Sequence, residues 1–336
     1  MIKAKISKLL APKKLIFEDV VLDDKNLLPE EIFCKTLIST ISPGTEISAY
    51  NGDPPLRPIK AYPRMVGYCN VAQIIAVGSG VGEYEVGQRI LTFSSHCSHF
   101  ICKKKDILSI VPENISSQQA STAYIFHLGY DAALNANIKY GSPVVVLGLG
   151  VIGLCTIKAS KMSGGKVYAI TNHDSAKDIA LKMGANRVIS RNKIDQLKSY
   201  LGHRLADSII TTSNSWSDWS IALDLAGMNA KICVLGFPGR NTKNIPFNPL
   251  DSRYFYHKQL QIQAVGHLAE ENDSRSFLKF NEKDNLKFIL EEIEKKNINP
   301  DLIISDERPW KELNDIYKTM SNAGGSSLTF VLNWNE

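Results

Sequence analysis

Two kinds of hydrophobic spacing divide the chain. Up to about residue 115, apolar positions come in short runs broken by turn residues. Ile32–Ile41 alternates apolar and polar residues over part of its length, as a half-buried strand does. Pro43-Gly44, Asn51-Gly52, Asp53-Pro54-Pro55 and Pro58 then crowd turn signals into one stretch. Val71–Val77 reads as a strand ended by Gly78, Gly80 and Gly82, and Gln88–Phe93, His99–Cys102 and Ile107–Val111 continue the pattern. Several short strands with regular turns predict a small barrel.

Near Ser116 the spacing changes. Ser117–Asn135 reads as a helix with Ser116 or Ser117 as its cap. Pro143–Gly148 is a continuous β-branched run, the signature of a parallel strand buried on both faces. Strands follow at Lys166–Ile170, Arg187–Ser190, Asp207–Thr212 and Lys231–Gly236, with helices over Ser175–Met183 and Trp219–Ala226 between them. Alternation of this kind specifies a doubly wound parallel sheet. Helices over Lys283–Lys296 and Lys311–Met320 and a strand at Leu328–Leu332 complete the pattern. The expected organisation is residues 1–118 as a first domain, 119–266 as a nucleotide-binding domain, and 267–336 returning to the first.

Composition narrows the function classes. At 336 residues two cores are expected. The net charge of +5 is spread along the chain, apart from Lys103–Lys105, which reads as a solvated strand end. Nothing there implies a nucleic-acid partner. The opening MIKAKISKLLAPKKLI lacks the features of a signal peptide, and no apolar run nears the ~20 residues that span a bilayer, so no membrane partner is expected. Cys34, Cys69, Cys97, Cys102, Cys155 and Cys233 form no C-x-x-C pair, which argues against a disulfide framework and a structural zinc lobe. A cytoplasmic address is expected.

The sharpest chemical signal is GLGVIG, Gly148 to Gly153, placed where a buried strand passes into a helix. Gly148 allows the tight turn, Gly150 lets the backbone approach a pyrophosphate, and Gly153 lets helix and strand pack closely. The amides that open the helix, at Val151 and Ile152, then attract phosphate. A carboxylate about 20 residues on would favour NAD. Here Thr171, Asn172 and His173 follow the second strand, Asp174 comes late, and Lys177 lies on the next helix. Small polar groups beside a cation favour NADP, with NAD left open; a solvated helix lysine is the plain alternative for Lys177.

Taken in order, SPGTEISAYNG (Ser42–Gly52), GYCNV (Gly67–Val71), VGSGVGEYEVGQRI (Val77–Ile90), GLGVIG and VLGFPG (Val234–Gly239) resemble the medium-chain dehydrogenase/reductase superfamily. The resemblance implies an α/β protein, a GroES-like β-barrel catalytic domain plus a Rossmann cofactor domain. It implies that Leu235, Gly236 and Phe237 lie beside the nicotinamide, and that Arg253–Ile262 leads into an edge strand where homodimers join. Zinc members carry a pattern like C-G-T-D-x-H. Against it this chain has Pro43 at the cysteine, Glu46 at the aspartate and Ser48 at the histidine. The family's G-H-E reads Gly67-Tyr68-Cys69, and the third ligand falls among Tyr124–His127. Catalytic zinc needs three protein ligands and an open position, so a member without zinc is expected.

Without a Lewis acid, a hydrogen-bond donor must polarise the substrate. Tyr68 is the first candidate, with Tyr124, His127 and His96 as rivals; a buried group satisfying a local hydrogen bond is the alternative for each. Glu46 is placed to orient Ser48 or a backbone amide. The resulting expectation is a zinc-independent oxidoreductase acting on a small alcohol, carbonyl or sugar-like substrate. The alternatives are an NADPH-dependent quinone or enoyl reductase, and a nucleotide-binding protein without turnover. Specificity is assigned to the loops Asp53–Tyr62 and Leu268–Phe280.

Overall fold

Strand pairing sorts the chain into three sheets in the computed structural model, which describes residues 1–56, 61–240, 245, 247–275, 278, 280–322 and 328–335. Pro58 and parts of the loops Asp53–Tyr62 and Leu268–Phe280 lie outside the described residues. Two units are distinguished: Met1–Tyr124 with Ala269–Glu336, and Ile125–Leu268.

The first unit opens with β1 (Ile2–Ala11), β2 (Lys14–Leu22), β3 (Glu31–Thr40), α1 (Pro43–Asn51), β4 (Arg64–Met65), β5 (Cys69–Val77), β6 (Arg89–Thr92), β7 (His99–Lys103), β8 (Ile107–Ile110) and α2 (Ser117–Ser121). The second holds α3 (Ala123–Asn135) from Ile125 onward, then β9 (Pro143–Leu147), α4 (Val151–Met162), β10 (Lys166–Ile170), α5 (Asp174–Lys182), β11 (Arg187–Ile189), α6 (Ile194–Leu201), β12 (Ala206–Thr211), α7 (Trp216–Leu225), β13 (Ala226–Val234) and β14 (Gln261–Ala264). The chain returns to the first unit with α8 (Glu282–Glu294), β15 (Ile304–Pro309), α9 (Leu313–Asn322) and β16 (Thr329–Asn333).

In the second unit the sheet order is β11-β10-β9-β12-β13-β14, every pair parallel. Leu147 pairs with Ile170 and with Thr211, and Thr211 with Val234. That register brings the residues that follow (Gly148, Thr171, Thr212 and Leu235) to one carboxyl edge of the sheet. Ligands of such sheets bind at that edge, where strand order reverses. Val145, Leu147, Ile170, Ile209, Trp219 and Ile232 fill the core on one face.

In the first unit one sheet runs β15-β16-β3-β5-β6-β8 with β7 also on β3, and a second runs β2-β1-β4. Ser39 on β3 pairs with Asn70 on β5 and with Leu332 on β16, so the start of β5 and the end of β16 flank the end of β3. Leu9, Ile41, Tyr50, Tyr317 and Trp334 pack together against these elements.

The sequence reading takes Pro43-Gly44 and Asn51-Gly52 as turns; the structure uses them to start and stop a helix. Pro43 stands at the first helical turn of α1, where its missing N–H costs nothing. Gly52 closes the helix with φ of 82° and donates its N–H to Ser48 O at 2.9 Å, the left-handed stop that suits glycine. The helix expected over Ser117–Asn135 is two, α2 and α3, which meet at Thr122. No helix among the described residues is long and apolar enough to cross a membrane.

Candidate functional site

The glycine turn of the second unit is shaped by where a Cβ fits. At Gly153 an added Cβ would lie 1.9 Å from Gly148 O, so only glycine lets α4 seat against β9. Gly148 has φ of 87°, and its carbonyl accepts the Thr212 hydroxyl at 2.8 Å. Gly150, by contrast, has a backbone open to any residue, and its Cβ would meet nothing within 4 Å among the described residues. The space before Gly150 and the start of α4, which carries no side-chain cap, fits a pyrophosphate.

At the end of β10, Thr171 is buried and accepts the His173 N–H on its hydroxyl at 3.1 Å, while Asn172 Oδ1 accepts the Arg191 N–H at 3.0 Å. Lys177 pairs with the exposed Asp174 at 2.6 Å. Arg191, unnamed by the sequence reading, grips buried Asp218 with two bonds of 2.5 and 2.7 Å. Past β13, Leu235 N–H reaches Thr211 O at 2.9 Å and Phe237 N–H reaches Asn214 Oδ1 at 2.9 Å. A Cβ at Gly236 would lie 2.4 Å from Ser213 O, so the chain turns there against backbone. His127, on α3 of this unit, is buried, and burial lowers its pKa to about 4.

The first unit builds with side chains instead. Glu46 is 2% exposed, and a buried carboxylate needs donors. Its Oε1 accepts the Ser42 N–H at 2.7 Å; its Oε2 accepts the Tyr317 hydroxyl and pairs with His96 Nε2 at 2.8 Å. His96 Nδ1 lies 2.7 Å from Ser39 Oγ, which accepts the Trp334 indole N–H at 2.8 Å. Gly67, with φ of 89°, leaves room for the imidazole, since a Cβ there would sit 2.6 Å from the ring.

Tyr68 follows Gly67 and donates its hydroxyl to Ser42 Oγ, with Thr45 Oγ1 at 3.4 Å. Burial is the main force pushing its phenol above the ordinary range, with Cys69 and Glu46 adding to it. Tyr124 meets the Tyr68 ring edge-on at 5.6 Å and Phe93 at 4.8 Å. Burial raises the Tyr124 phenol as well, and buried Glu282 at the start of α8 accepts its hydrogen bond. Ser48 donates to Gly44 O at 2.7 Å within α1.

Both nitrogens of His96 are engaged, burial pushes the Cys69 thiol up, and Tyr68 donates to Ser42. Among the described residues no group of three or more His, Cys, Asp or Glu side chains could hold a metal ion.

Of the residues the sequence singled out, Glu46 and Tyr68 converge on Ser42, and His96 joins them through Glu46. Ser48 shares α1 with Glu46, and its hydroxyl is turned to Gly44 O. His127 belongs to the other unit. Ser39, Ser42, Tyr317, Trp334 and Glu282 were missed. Ser42 was within reach, because a serine before Pro43 with a glutamate one turn on resembles a helix start. Tyr317 carries no such mark; it sits among Leu313, Ile316 and Met320 at core spacing.

The family described as zinc-binding dehydrogenase matches residues 151–281. A sorbitol dehydrogenase of Bacillus subtilis (strain 168) is 23% identical over 221 residues, 55% of this chain and 63% of that enzyme's length. Two solved structures share the fold over nearly the whole chain. An alcohol dehydrogenase of Escherichia coli CFT073 complexed with NADH gives a TM-score of 0.79 at 18% identity, covering 98% of this chain and 99% of that one. A protein of Sinorhizobium meliloti 1021, described as a zinc-binding dehydrogenase and bound to NADP, gives 0.79 at 16%, covering 99% and 100%.

Proposed function

We propose that the chain is a medium-chain dehydrogenase/reductase, an NAD(P)-dependent oxidoreductase that works without zinc, prefers NADP(H) and acts on a small alcohol, carbonyl or sugar-like compound; the matches to dehydrogenases in family model, relatives and fold support this reading. The observation that carries the reading is the glycine turn, closed to any side chain at Gly153 and open at Gly150. Val151 and Ile152 offer the amides of the first turn of α4 to the phosphates, and Leu235, Gly236 and Phe237 supply backbone groups to the nicotinamide amide. Thr171 and Asn172 stand where an acidic side chain would select NAD, and Lys177 supplies a cation for a 2′-phosphate in competition with Asp174.

When bound, the nicotinamide supplies or accepts the hydride. In the reductive direction Tyr68 gives its hydroxyl proton to the substrate oxygen, leaving a phenolate that the Ser42 hydroxyl can turn to stabilise. The raised phenol pKa keeps Tyr68 protonated, as a donor must be. Ser48, with its hydroxyl given to Gly44 O, and His127, held neutral by burial, take no proton-transfer step in this reading. Zinc-free carbonyl chemistry gains about a hundred- to ten-thousand-fold from such a positioned acid.

β14 is an edge strand of its sheet and the place we assign to a homodimer contact. Six free, buried cysteines accord with a reducing cytoplasm. Calorimetric titration with NADPH and NADH tests the proposal: binding of NADPH more tightly than NADH is expected, and Thr171→Asp should reverse the order. No heat from either nucleotide would overturn the reading. A panel of ketones, aldehydes and enones with NADPH then separates carbonyl reduction from double-bond reduction.

A further inference from the structure

Ser42 occupies the position before α1 where a serine ordinarily turns its hydroxyl back to cap the helix amides. Here no side-chain cap bond forms. The Ser42 N–H is instead held by Glu46 Oε1 at 2.7 Å, and the freed hydroxyl accepts from Tyr68. Glu46 itself cannot drift. Its other oxygen is fixed by Tyr317 from α9 and by His96, which is braced in turn through Ser39 to Trp334. Glu46, His96 and Tyr317 are each 2% exposed or less, so breaking any of these bonds strands a polar group away from water. A buried charged network of this kind is costlier than an apolar core of the same volume. Its geometry ends at one half-buried hydroxyl, that of Tyr68.

We propose that Glu46 is a positioning residue for the Tyr68 hydroxyl, acting through Ser42: it holds the Ser42 amide so that the Ser42 side chain leaves the helix and aims the phenol. The proposal rests on the reading of Tyr68 as the proton donor. It makes the Glu46 carboxylate a support that never meets the substrate. It also explains why Tyr317 and Trp334, distant in sequence, are drawn to this place.

The test uses the full chain labelled with 13Cζ-tyrosine, with steady-state reduction of 4-nitrobenzaldehyde by NADPH alongside it. Tyr68→Phe and Tyr317→Phe assign their resonances by loss. Glu46→Gln is expected to move the Tyr68 resonance as well as that of Tyr317. It should lower kcat about tenfold with KM for the aldehyde changed less than about twofold, and have no further effect in the Tyr68→Phe background. A Tyr68 resonance unmoved by Glu46→Gln overturns the proposal, as does an equal loss of kcat in both backgrounds. If Tyr68→Phe keeps the wild-type rate, the donor assignment fails by itself, and the resonance alone decides whether Glu46 sets the phenol. Should Glu46→Gln not fold, Tyr317→Phe removes one donor from the same carboxylate and must shift Tyr68 in a folded protein; a fixed Tyr68 signal there also overturns the proposal.

Discussion

A Cβ placed on Gly150 would enter open space, whereas one placed on Gly67 would strike the His96 ring at 2.6 Å. The two units have solved different problems. The second, in the proposed reading, awaits a large anion from solution, and side chains are withheld at its turn. The first has a charge of its own to house, so every approach to Glu46 is filled by a donor. One site gains from vacancy and the other from occupation. Substitutions that add atoms should therefore injure the second unit selectively by position, and those that remove polar atoms should injure the first.

The largest effect is expected at Gly153. Alanine there meets the Gly148 carbonyl, backbone that cannot step aside, and should cost more than about 4 kcal/mol and yield little soluble protein. Gly150→Asp breaks the comparison differently. The chain should fold with an unchanged melting temperature yet lose more than about a hundredfold in NADPH affinity, since a carboxylate would face the pyrophosphate. Retained affinity by titration would remove the turn from nucleotide binding.

The two buried histidines sharpen the contrast next. His96 is engaged at both nitrogens, whereas burial holds the His127 pKa at about 4 against an ordinary 6.5. The unfolded chain takes up the His127 proton near pH 6.5 and the folded chain only near 4. The stability this group contributes is thus complete above pH 6.5 and is lost as the pH falls toward 4, by about 3 kcal/mol. Urea unfolding at pH 7 and pH 4.5 should show that loss in wild type and a smaller one in His127→Gln. Equal losses would count against it. The smallest effect is expected at Lys258, whose ammonium donates to Leu223 O, Asp224 O and Ala226 O at 2.8 to 3.2 Å and so closes α7. Lys258→Met should cost about 2 kcal/mol in thermal unfolding and leave nucleotide affinity unchanged.

The same division governs what could be read in the sequence. The nucleotide turn lies within one strand, one turn and one helix, so Gly148, Gly150 and Gly153 announce it by spacing and by the PVVVL run that precedes them. The ends of the parallel strands were legible for that reason, to within a residue or two at β9, β10 and β12, whereas their order in the sheet was not read. α1 was read as turns because Pro43 and Gly52 punctuate helices and loops alike, and only tertiary packing of Ala49 and Tyr50 decides between them. Glu46 and Tyr68 were found as departures from a zinc pattern and His96 as a rival donor, but the contacts that join them, and Ser39, Ser42, Tyr317 and Trp334, were not. The β3–β16 register brings Ser39 beside the strand that leads to Trp334, whereas His96 comes from the stretch between β6 and β7 and Tyr317 from α9, and no spacing along the chain encodes a contact between residues 46 and 317.

Two members of the Glu46 network, Tyr317 and Trp334, follow the second unit in the chain. During synthesis the ribosome therefore completes the nucleotide fold before it supplies Tyr317, the last donor to a carboxylate made near the start, and Trp334, which braces Ser39. At ordinary elongation rates that interval is several seconds. Through it the nascent first unit carries an acid that lacks one of its three partners in what will become its interior. A chaperone that shields the stretch around residues 39–96, or slow codons after residue 268, would be expected to change the yield of active protein more than its amount.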